Sequence, residues 1–178
     1  FIDYVAGVFY IDERNTTDFA DIFGLAPNAS LLLADRTLKN KTEAIAGYVQ
    51  ADLNVTDQFK LTAGVRYTDE EKTFRIRDNR ASCNDGTLEA TCLANQNLIA
   101  LNGVRIPDRQ SVGIWTPRFA VNYQPNEDFL AFASATRGFK SGGWNARGTA
   151  NNQLLPFDPE KVWSYEVGIK SDWFDRRF

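Results

Sequence analysis

Histidine and methionine are absent from this chain of 178 residues. Without imidazole there is no Ser/His/Asp or Cys/His catalytic arrangement and no histidine ligand for a metal. With no catalytic constellation to set against that gap, an enzyme is not expected. Cysteine is limited to Cys83 and Cys92. Both fall in one polar stretch, close enough to close a small loop. An oxidising compartment would make them a disulfide worth roughly 2–3 kcal/mol; the alternative is two free thiols. No run of about 18 apolar residues occurs, so no helix of the chain is expected to span a membrane; barrel strands carry a weaker signal and stay open. The N-terminus carries no signal-peptide pattern, and Phe1 is expected to start inside a strand. Basic residues are not in excess: 20 Lys and Arg stand against 23 Asp and Glu, a net charge of -3. That balance argues against a general nucleic-acid binder.

What the chain has is alternation. The clearest stretch runs from Trp115 to Lys140. Trp115, Pro117, Phe119, Val121 and Tyr123 fall on one face, and Thr116, Arg118, Ala120 and Asn122 on the other. This period of two predicts a strand with one apolar and one polar side. Pro125, Asn126, Glu127 and Asp128 follow, with turn chemistry: Pro fixes φ, while Asn and Asp bond their own backbone. The stretch reads as a hairpin closed by a short connection over residues 124–128. Residues 43–55 alternate in the same way, Ile45, Gly47, Val49, Ala51, Leu53 and Val55 against Tyr48, Gln50, Asp52 and Asn54. After a short turn at Thr56, Asp57 and Gln58, residues 59–77 alternate again and read as one strand of about 19 residues, far longer than the usual five or six. Its upper half, from Thr68 to Arg77, carries charge on both sides and is expected to stand in water. Residues 1–14 hold a strand of uncertain register, and residues 161–172 a further strand with Trp163, Tyr165, Val167 and Ile169 on one side. Phe174 to Arg177 reads as a short turn leading to a strand at Phe178.

Between these strands lie long connections. Residues 15–42 are read as a polar connection with an apolar island, Leu31, Leu32 and Leu33, either a loop helix or a packed lid. Residues 78–111 contain both cysteines and Asp85-Gly86, and residues 141–160 begin Ser141-Gly142-Gly143-Trp144-Asn145. Connections therefore alternate between long and short. Loops of 20 or more residues are uncommon in compact domains, whereas outer-membrane barrels have short turns at one rim and long loops at the other. The apolar faces would meet lipid, with Phe59, Tyr67, Trp115, Tyr123, Trp163 and Trp173 at the interfaces. Arg66, Arg118, Glu166 and Lys170 would point into a wet lumen, since burying such charges in a soluble core costs several kcal/mol each unless paired. The predicted fold class is all-β, an antiparallel up-and-down transmembrane β-barrel segment of about six to seven strands.

Four stretches resemble one family. They are Gly64-Val65-Arg66-Tyr67-Thr68-Asp69-Glu70-Glu71-Lys72, Thr116-Pro117-Arg118-Phe119-Ala120-Val121-Asn122-Tyr123, the run from Ser134 to Asn145, and Asp158-Pro159-Glu160 with Ser164 to Lys170. In this order they resemble the barrel of TonB-dependent outer-membrane receptors, over nearly the whole chain. The resemblance implies a 22-stranded barrel filled by an N-terminal plug. It also implies energy supplied by the TonB complex, uptake of a scarce nutrient (by default a ferric siderophore) and location in the cell outer membrane. Residues 1–178 are then expected to be a partial barrel domain, without the plug domain and the barrel-closing C-terminal strands. Partners would be outer-membrane lipid, the plug, the TonB complex and the nutrient ligand. No cofactor is implied. The competing readings are a passive porin-like or adhesin barrel, and a soluble secreted carbohydrate-binding β-domain.

Candidate site residues follow from these faces. Lys140, Trp144, Asn145 and Arg147 are placed in an outer loop as a ligand vestibule, because an aromatic beside cations suits an anionic, partly apolar chelate. Asp52, Arg66, Arg118, Glu166 and Lys170 are placed facing the lumen, as plug contacts. Gly138 to Gly143 glances at a phosphate loop but lacks its spacing. Asp69, Glu70 and Glu71 read as a solvated strand extension rather than an acid–base or cation site. Asn-x-Ser/Thr sequons start at Asn15, Asn28, Asn40 and Asn54 and read as chance matches in a bacterial barrel.

Overall fold

A computed structural model describes residues 1–26, 29–80, 107–147 and 151–173. The cysteine pair Cys83 and Cys92, the sequon at Asn28 and the turn at residues 174–177 lie outside the described residues. Strands β1 (Ile2–Ala26), β2 (Ala29–Asn54), β3 (Phe59–Asp78), β4 (Arg109–Asn126), β5 (Phe129–Lys140) and β8 (Glu160–Ser171) form one six-stranded sheet in the order β1-β2-β3-β4-β5-β8. Every neighbouring pair is antiparallel. Two-residue strands β6 (Gly143–Trp144) and β7 (Pro156–Phe157) make a small ladder inside the β5–β8 connection, beside a short 3-10 helix, Asn151–Leu154. The up-and-down antiparallel sheet expected from alternation is the observed architecture.

The strands meet at short turns along one rim, taken here as the base. Residues 55–58 join β2 to β3, and the turn after Asn126 joins β4 to β5. There the Asn126 side chain accepts the Asp128 backbone N–H at 3.1 Å, an Asx turn of the kind the sequence suggests. The base of β2, both ends of β3 and the span of β8 fall within a residue or two of the expected limits.

Residues 15–42 correct the sequence reading. They are not a connection but the upper parts of β1 and β2, which stay paired from Ile2↔Leu53 to Ala26↔Ala29, with Leu31, Leu32 and Leu33 inside β2. Neither helix nor lid forms there. Alternation does not reveal these strands because much of this stretch is polar on both sides. The backbone ladder and cross-strand contacts, such as the Thr37 hydroxyl donating to Asp18 at 2.6 Å, hold them together.

Because neighbouring strands share a register, residues line up in rows across the sheet. On the outer face the rows rise from the base as Ile2–Leu53–Leu61–Val121, Tyr4–Ala51–Ala63–Phe119, Ala6–Val49–Val65–Pro117 and Val8–Gly47–Tyr67–Trp115. Across β5 and β8 the same face carries Ala131–Ile169, Ala133–Val167 and Ala135–Tyr165, with Arg137 beside Trp163. These side chains are widely exposed: Val8 at 88%, Val167 at 83% and Tyr165 at 75%. Aromatic pairs mark both margins of the belt. Phe59 stacks on Tyr123 at 4.5 Å near the base, and Tyr67 meets Trp115 at 4.8 Å above.

Above Tyr67 the same face changes character. The next rows are Tyr10–Ile45–Asp69–Gly113, Asp12–Glu43–Glu71–Ser111, Arg14–Lys41–Thr73–Arg109 and Thr16–Lys39–Arg75. The inner face changes in the opposite sense. It is polar below, with Lys60, Thr62, Arg66 and Thr68 on β3, and apolar above, with Phe74 at 2% and Ile76 at 1% exposed. The expectation that the top of β3 is charged on both sides holds on the inner side at Glu70 and Lys72 and fails at Phe74 and Ile76. Leu38, Phe74, Ile76 and Leu154 form a buried cluster there, with Phe19, Trp144 and Ala146 packed against it. The β5–β8 connection folds over the upper inner wall and removes it from water.

Candidate functional site

The inner face of the sheet carries every polar residue singled out as lumen-facing. Near the base, the Thr62 hydroxyl donates to the Asp52 carboxylate at 2.7 Å, and Lys60 Nζ lies 3.0 Å from its other oxygen. Asp52 is thus held by its own wall. One level up, Arg66 lies over the Phe9 ring at 5.2 Å, and its Nε–H donates to the Thr68 hydroxyl at 3.0 Å. Arg118 faces Gly64 across the β3–β4 pair. Arg66 and Arg118 both line a concavity of about 220 Å³ with Tyr48, Gln50, Gly64 and Thr116. The absent side chain at Gly64 matters here: a Cβ would stand 3.2 Å from the Gln50 side chain and crowd the hollow. Glu166 and Lys170 sit apart from this group on β8. Glu166 faces Ser134, and Lys170 Nζ lies 5.9 Å from the Phe132 ring centre. The five residues share one face, and the structure gathers only Arg66 and Arg118 into one concavity.

The upper site is built by the β5–β8 connection. Trp144 stacks on Phe74 with centroids 5.3 Å apart and planes 12° from parallel, and its indole N–H donates to the Pro107 carbonyl at 2.8 Å. One ring face and the only polar atom of Trp144 are therefore used in packing. The Asn145 carboxamide oxygen accepts the Arg147 backbone N–H at 3.2 Å, an Asx turn that shapes the loop. The Arg147 guanidinium lies 5.9 Å from the Phe19 ring centre. Lys140 ends β5, exposed, across from Glu160. Trp144, Asn145 and Arg147 come together in one docked loop, while Lys140 stands at its entry.

Other contacts around this loop escape a reading of the sequence. Arg36, deep on the inner face, donates through Nη1 to the Ala146 carbonyl at 3.4 Å and faces Asp78 across the β2–β3 pair. Asp78 in turn pairs with Arg80 at 2.8 Å. Burial pushes the Arg36 pKa below its usual value, and the Asp78 carboxylate opposes that push. The loop base is held by Lys72, which donates to the Gly142 carbonyl at 3.2 Å, and by Gln110, which donates to the Phe157 carbonyl at 3.2 Å. Gly142 packs directly on the Phe157 and Pro159 backbone, where a Cβ has no room. Glu70, Lys72, Gln110, Gly142 and Asp158 line a small hollow of about 120 Å³. Arg36 was hidden because it lies in a stretch without alternation, and its partners are long-range.

Comparison with known proteins adds to this geometry. The chain is similar to the metal-pseudopaline receptor CntO of Pseudomonas aeruginosa, 28% identical over 77% of this chain and 16% of the receptor in one strain. In another strain of that organism the identity reaches 37% over 47% of this chain and 11% of the receptor. The pesticin receptor of Yersinia pestis is 22% identical over 98% of this chain and 22% of its own length. The chain therefore spans about a fifth or less of these relatives. Its fold matches the crystal structure of the ferric yersiniabactin uptake receptor FyuA from Yersinia pestis with a TM-score of 0.68, at 19% identity, over 97% of this chain and 23% of that one. Residues 2–178 match the family described as TonB dependent receptor-like, beta-barrel, and the chain belongs to that family.

Proposed function

We propose that the chain is a section of the wall of a TonB-energised outer-membrane transporter that imports a metal–chelate complex, with a ferric siderophore as the default ligand. The observation that carries the membrane part is the exchange of polarity along continuous strands. Below Tyr67 apolar side chains point out and polar ones point in; above Phe74 the order is reversed. One strand that meets hydrocarbon below and water above accounts for both halves. The charged upper rows would be costly in lipid, and the exposed apolar belt would be an aggregation liability in water. Strands β1 and β8 each have one neighbour in the described sheet, and open edges are not tolerated in hydrocarbon. We therefore take these residues as part of a larger closed barrel.

The ligand class rests on the relatives, two of which are named as receptors for metal or ferric complexes. In this reading the upper loop, with Arg147 and Lys140 at its margin, presents cations to an anionic chelate. The wall below, with Arg66 and Arg118 in one concavity, contacts a plug. The two guanidinium groups there can make charge-assisted hydrogen bonds to carboxylates or carbonyls of a plug.

The test is uptake. A strain lacking the protein is supplied with single radiolabelled ferric siderophores under iron limitation. Loss of uptake of one complex, restored by the intact gene and lost again without the TonB complex, is the expected result. Uptake that persists without TonB would replace the active transporter with a passive pore.

A further inference from the structure

Strands β4 and β5 separate at the upper margin of the apolar belt. Their pairing runs from the base to Arg118↔Thr136 and ends there. Above that pair β4 continues to Arg109 along β3, and β5 continues to Lys140 along β8. Pro117 stands at the fork, and it has no N–H to give to a ladder. The fork is tied again higher up, where Lys72 donates to the Gly142 carbonyl and Gln110 to the Phe157 carbonyl. Between these two closures the sheet has a seam. On the outer face just below it, Ala135 lies between Phe119 and Tyr165 in one row. With Ala133 these residues border an apolar groove of about 570 Å³. On the inner face, Thr116 and Arg118 at the fork line the concavity shared with Arg66. Above that level the inner wall is closed, with Ile114 only 3% exposed. Arg137 is the first β5 residue past the fork and stands on the outer face beside Trp163. Its Nε is shielded from water and has no hydrogen-bond acceptor among the described residues. A groove for a chain, a gap in the wall and guanidinium groups on both faces thus lie at one level.

We propose that this seam holds an amphiphilic chelate, with its anionic metal-binding head at Arg118 and Arg66 inside and its acyl tail passing the fork into the outer groove. The proposal rests on the import reading given above and narrows its ligand to a chelate that carries an alkyl chain. The chemistry of the two faces selects that occupant. A guanidinium offers a planar fork to a carboxylate, and Arg118 offers it from the lumen side. A chelate without a chain has no use for the gap or for the groove. A membrane phospholipid could use the groove and Arg137 but would leave the inward opening and Arg118 unused. A molecule with an anionic head and an apolar tail meets all of these features at once. Each methylene that the groove takes out of water tightens binding about fourfold. The tail also meets hydrocarbon outside the wall, so the gain does not depend on a deep pocket.

The test uses the full-length protein that carries these residues, in phosphatidylcholine nanodiscs with empty discs as the blank. The probes are a ferric citrate dihydroxamate with acetyl groups on its hydroxamates and the same chelate with octanoyl groups. Affinity is read from quenching of tryptophan fluorescence, and folding from circular dichroism melts. The wild type should bind the octanoyl form about tenfold tighter or more. Two variants fill the path from opposite faces. Gly138→Leu places a side chain in the seam, where a Cβ meets only Val162, at 3.6 Å. Ala135→Trp fills the groove outside. Each should bind the acetyl form like wild type and lose most of the octanoyl advantage. If one of them melts early, the other still decides. Equal affinity of the wild type for both chelates overturns the proposal, and so does an advantage that survives in the folded variants. An advantage that disappears when phosphatidylglycerol replaces phosphatidylcholine assigns the groove to ordinary lipid and overturns it as well. Binding of neither chelate removes the anionic-chelate reading of the import function, and the proposal falls with it.

Discussion

The lower and upper halves of the same strands solve opposite problems. In the lower half the apolar residues, Leu53, Leu61, Phe119 and Val167 among them, remain exposed on the outside. Nothing among the described residues covers them, and the inner face is a polar wall with Asp52, Thr62 and Arg66 tied to one another or to neighbours. In the upper half the outer face is charged, and a conventional core of Leu38, Phe74, Ile76 and Leu154 forms inside. No bulge separates the halves of β3, because its register against β2 is continuous from Lys60 to Asp78. The backbone does not change at the boundary; only the polarity of the side chains on each face does. Burial in such a wall has to be judged face by face and level by level.

The comparison predicts where the wall is sensitive. The largest effect is expected from Phe74→Ala, which empties the upper core and removes the platform under Trp144. A buried Phe→Ala change costs about 3–5 kcal/mol. Because the loss is confined to the docked loop, it should read out as faster proteolysis of residues 141–160 with the sheet intact. Wild-type resistance in the variant would show that the loop is held by its hydrogen bonds instead. Next comes Phe119→Arg, in the middle of the outer belt. A cation at the lipid-facing midplane of a barrel costs about 2–4 kcal/mol, measurable as a lower denaturation midpoint in vesicles. The matched change Ser111→Arg, opposite Glu71 in the upper charged rows, should leave that midpoint nearly unmoved. Equal effects at both sites would abolish the boundary between the halves.

A smaller loss is expected for Gly7→Val. The Tyr48 ring lies over Gly7, where a Cβ would stand 2.5 Å from Oη. The ring must swing into the lumen, at a cost of about 1–3 kcal/mol for overpacking. Gly7→Val combined with Tyr48→Ala should recover most of the loss, and the double-mutant cycle measures how much. The smallest effect concerns the exposed pair at the upper surface. The Arg14 hydrogen bond holds the Asp12 carboxyl below its usual pKa, opposed by desolvation and aided by the charges of Arg14 and Lys41. A depressed carboxyl contributes above its unfolded pKa, and the contribution fades as pH falls through its lowered folded value. The pair stands at the solvent-facing surface, with the Arg14 side chain 72% exposed, so Asp12→Asn should not shift the unfolding midpoint at neutral or acid pH. A clear shift at pH 7 that vanishes in acid would mean the pair is shielded from solvent in the membrane-inserted protein.

How much of this was written in the sequence depended on contrast between faces. Near the base, one face is apolar and the other polar, so Phe59 to Tyr67 and Trp115 to Tyr123 were legible residue by residue. The turn at Asn126 was legible because its chemistry is local. From Asn15 to Asn40 much of both faces is polar, the period of two fades, and two long strands passed for a loop. The upper core was hidden for another reason. Leu154 is a buried residue in a polar connection, and its partners Leu38 and Phe74 lie more than a hundred and about eighty positions away in the chain. Trp144, Asn145 and Arg147 were grouped by proximity in sequence. The structure adds that the stacking face of Trp144 and the carboxamide of Asn145 are already engaged within the protein.

The continuous register of β3 also constrains how such a wall can change length. Inserting one residue between Leu61 and Tyr67 would turn every side chain above the insertion to the opposite face. With the insertion below it, Arg66 would then point to the apolar outer face. Inserting two would preserve the faces but slide Glu71 a step away from Arg109 on β4. Length variation is therefore confined to the places where parity is not counted, the rim turns and the loops above the core. The strands between act as a fixed ruler, and variety in length belongs above the ruler's upper mark.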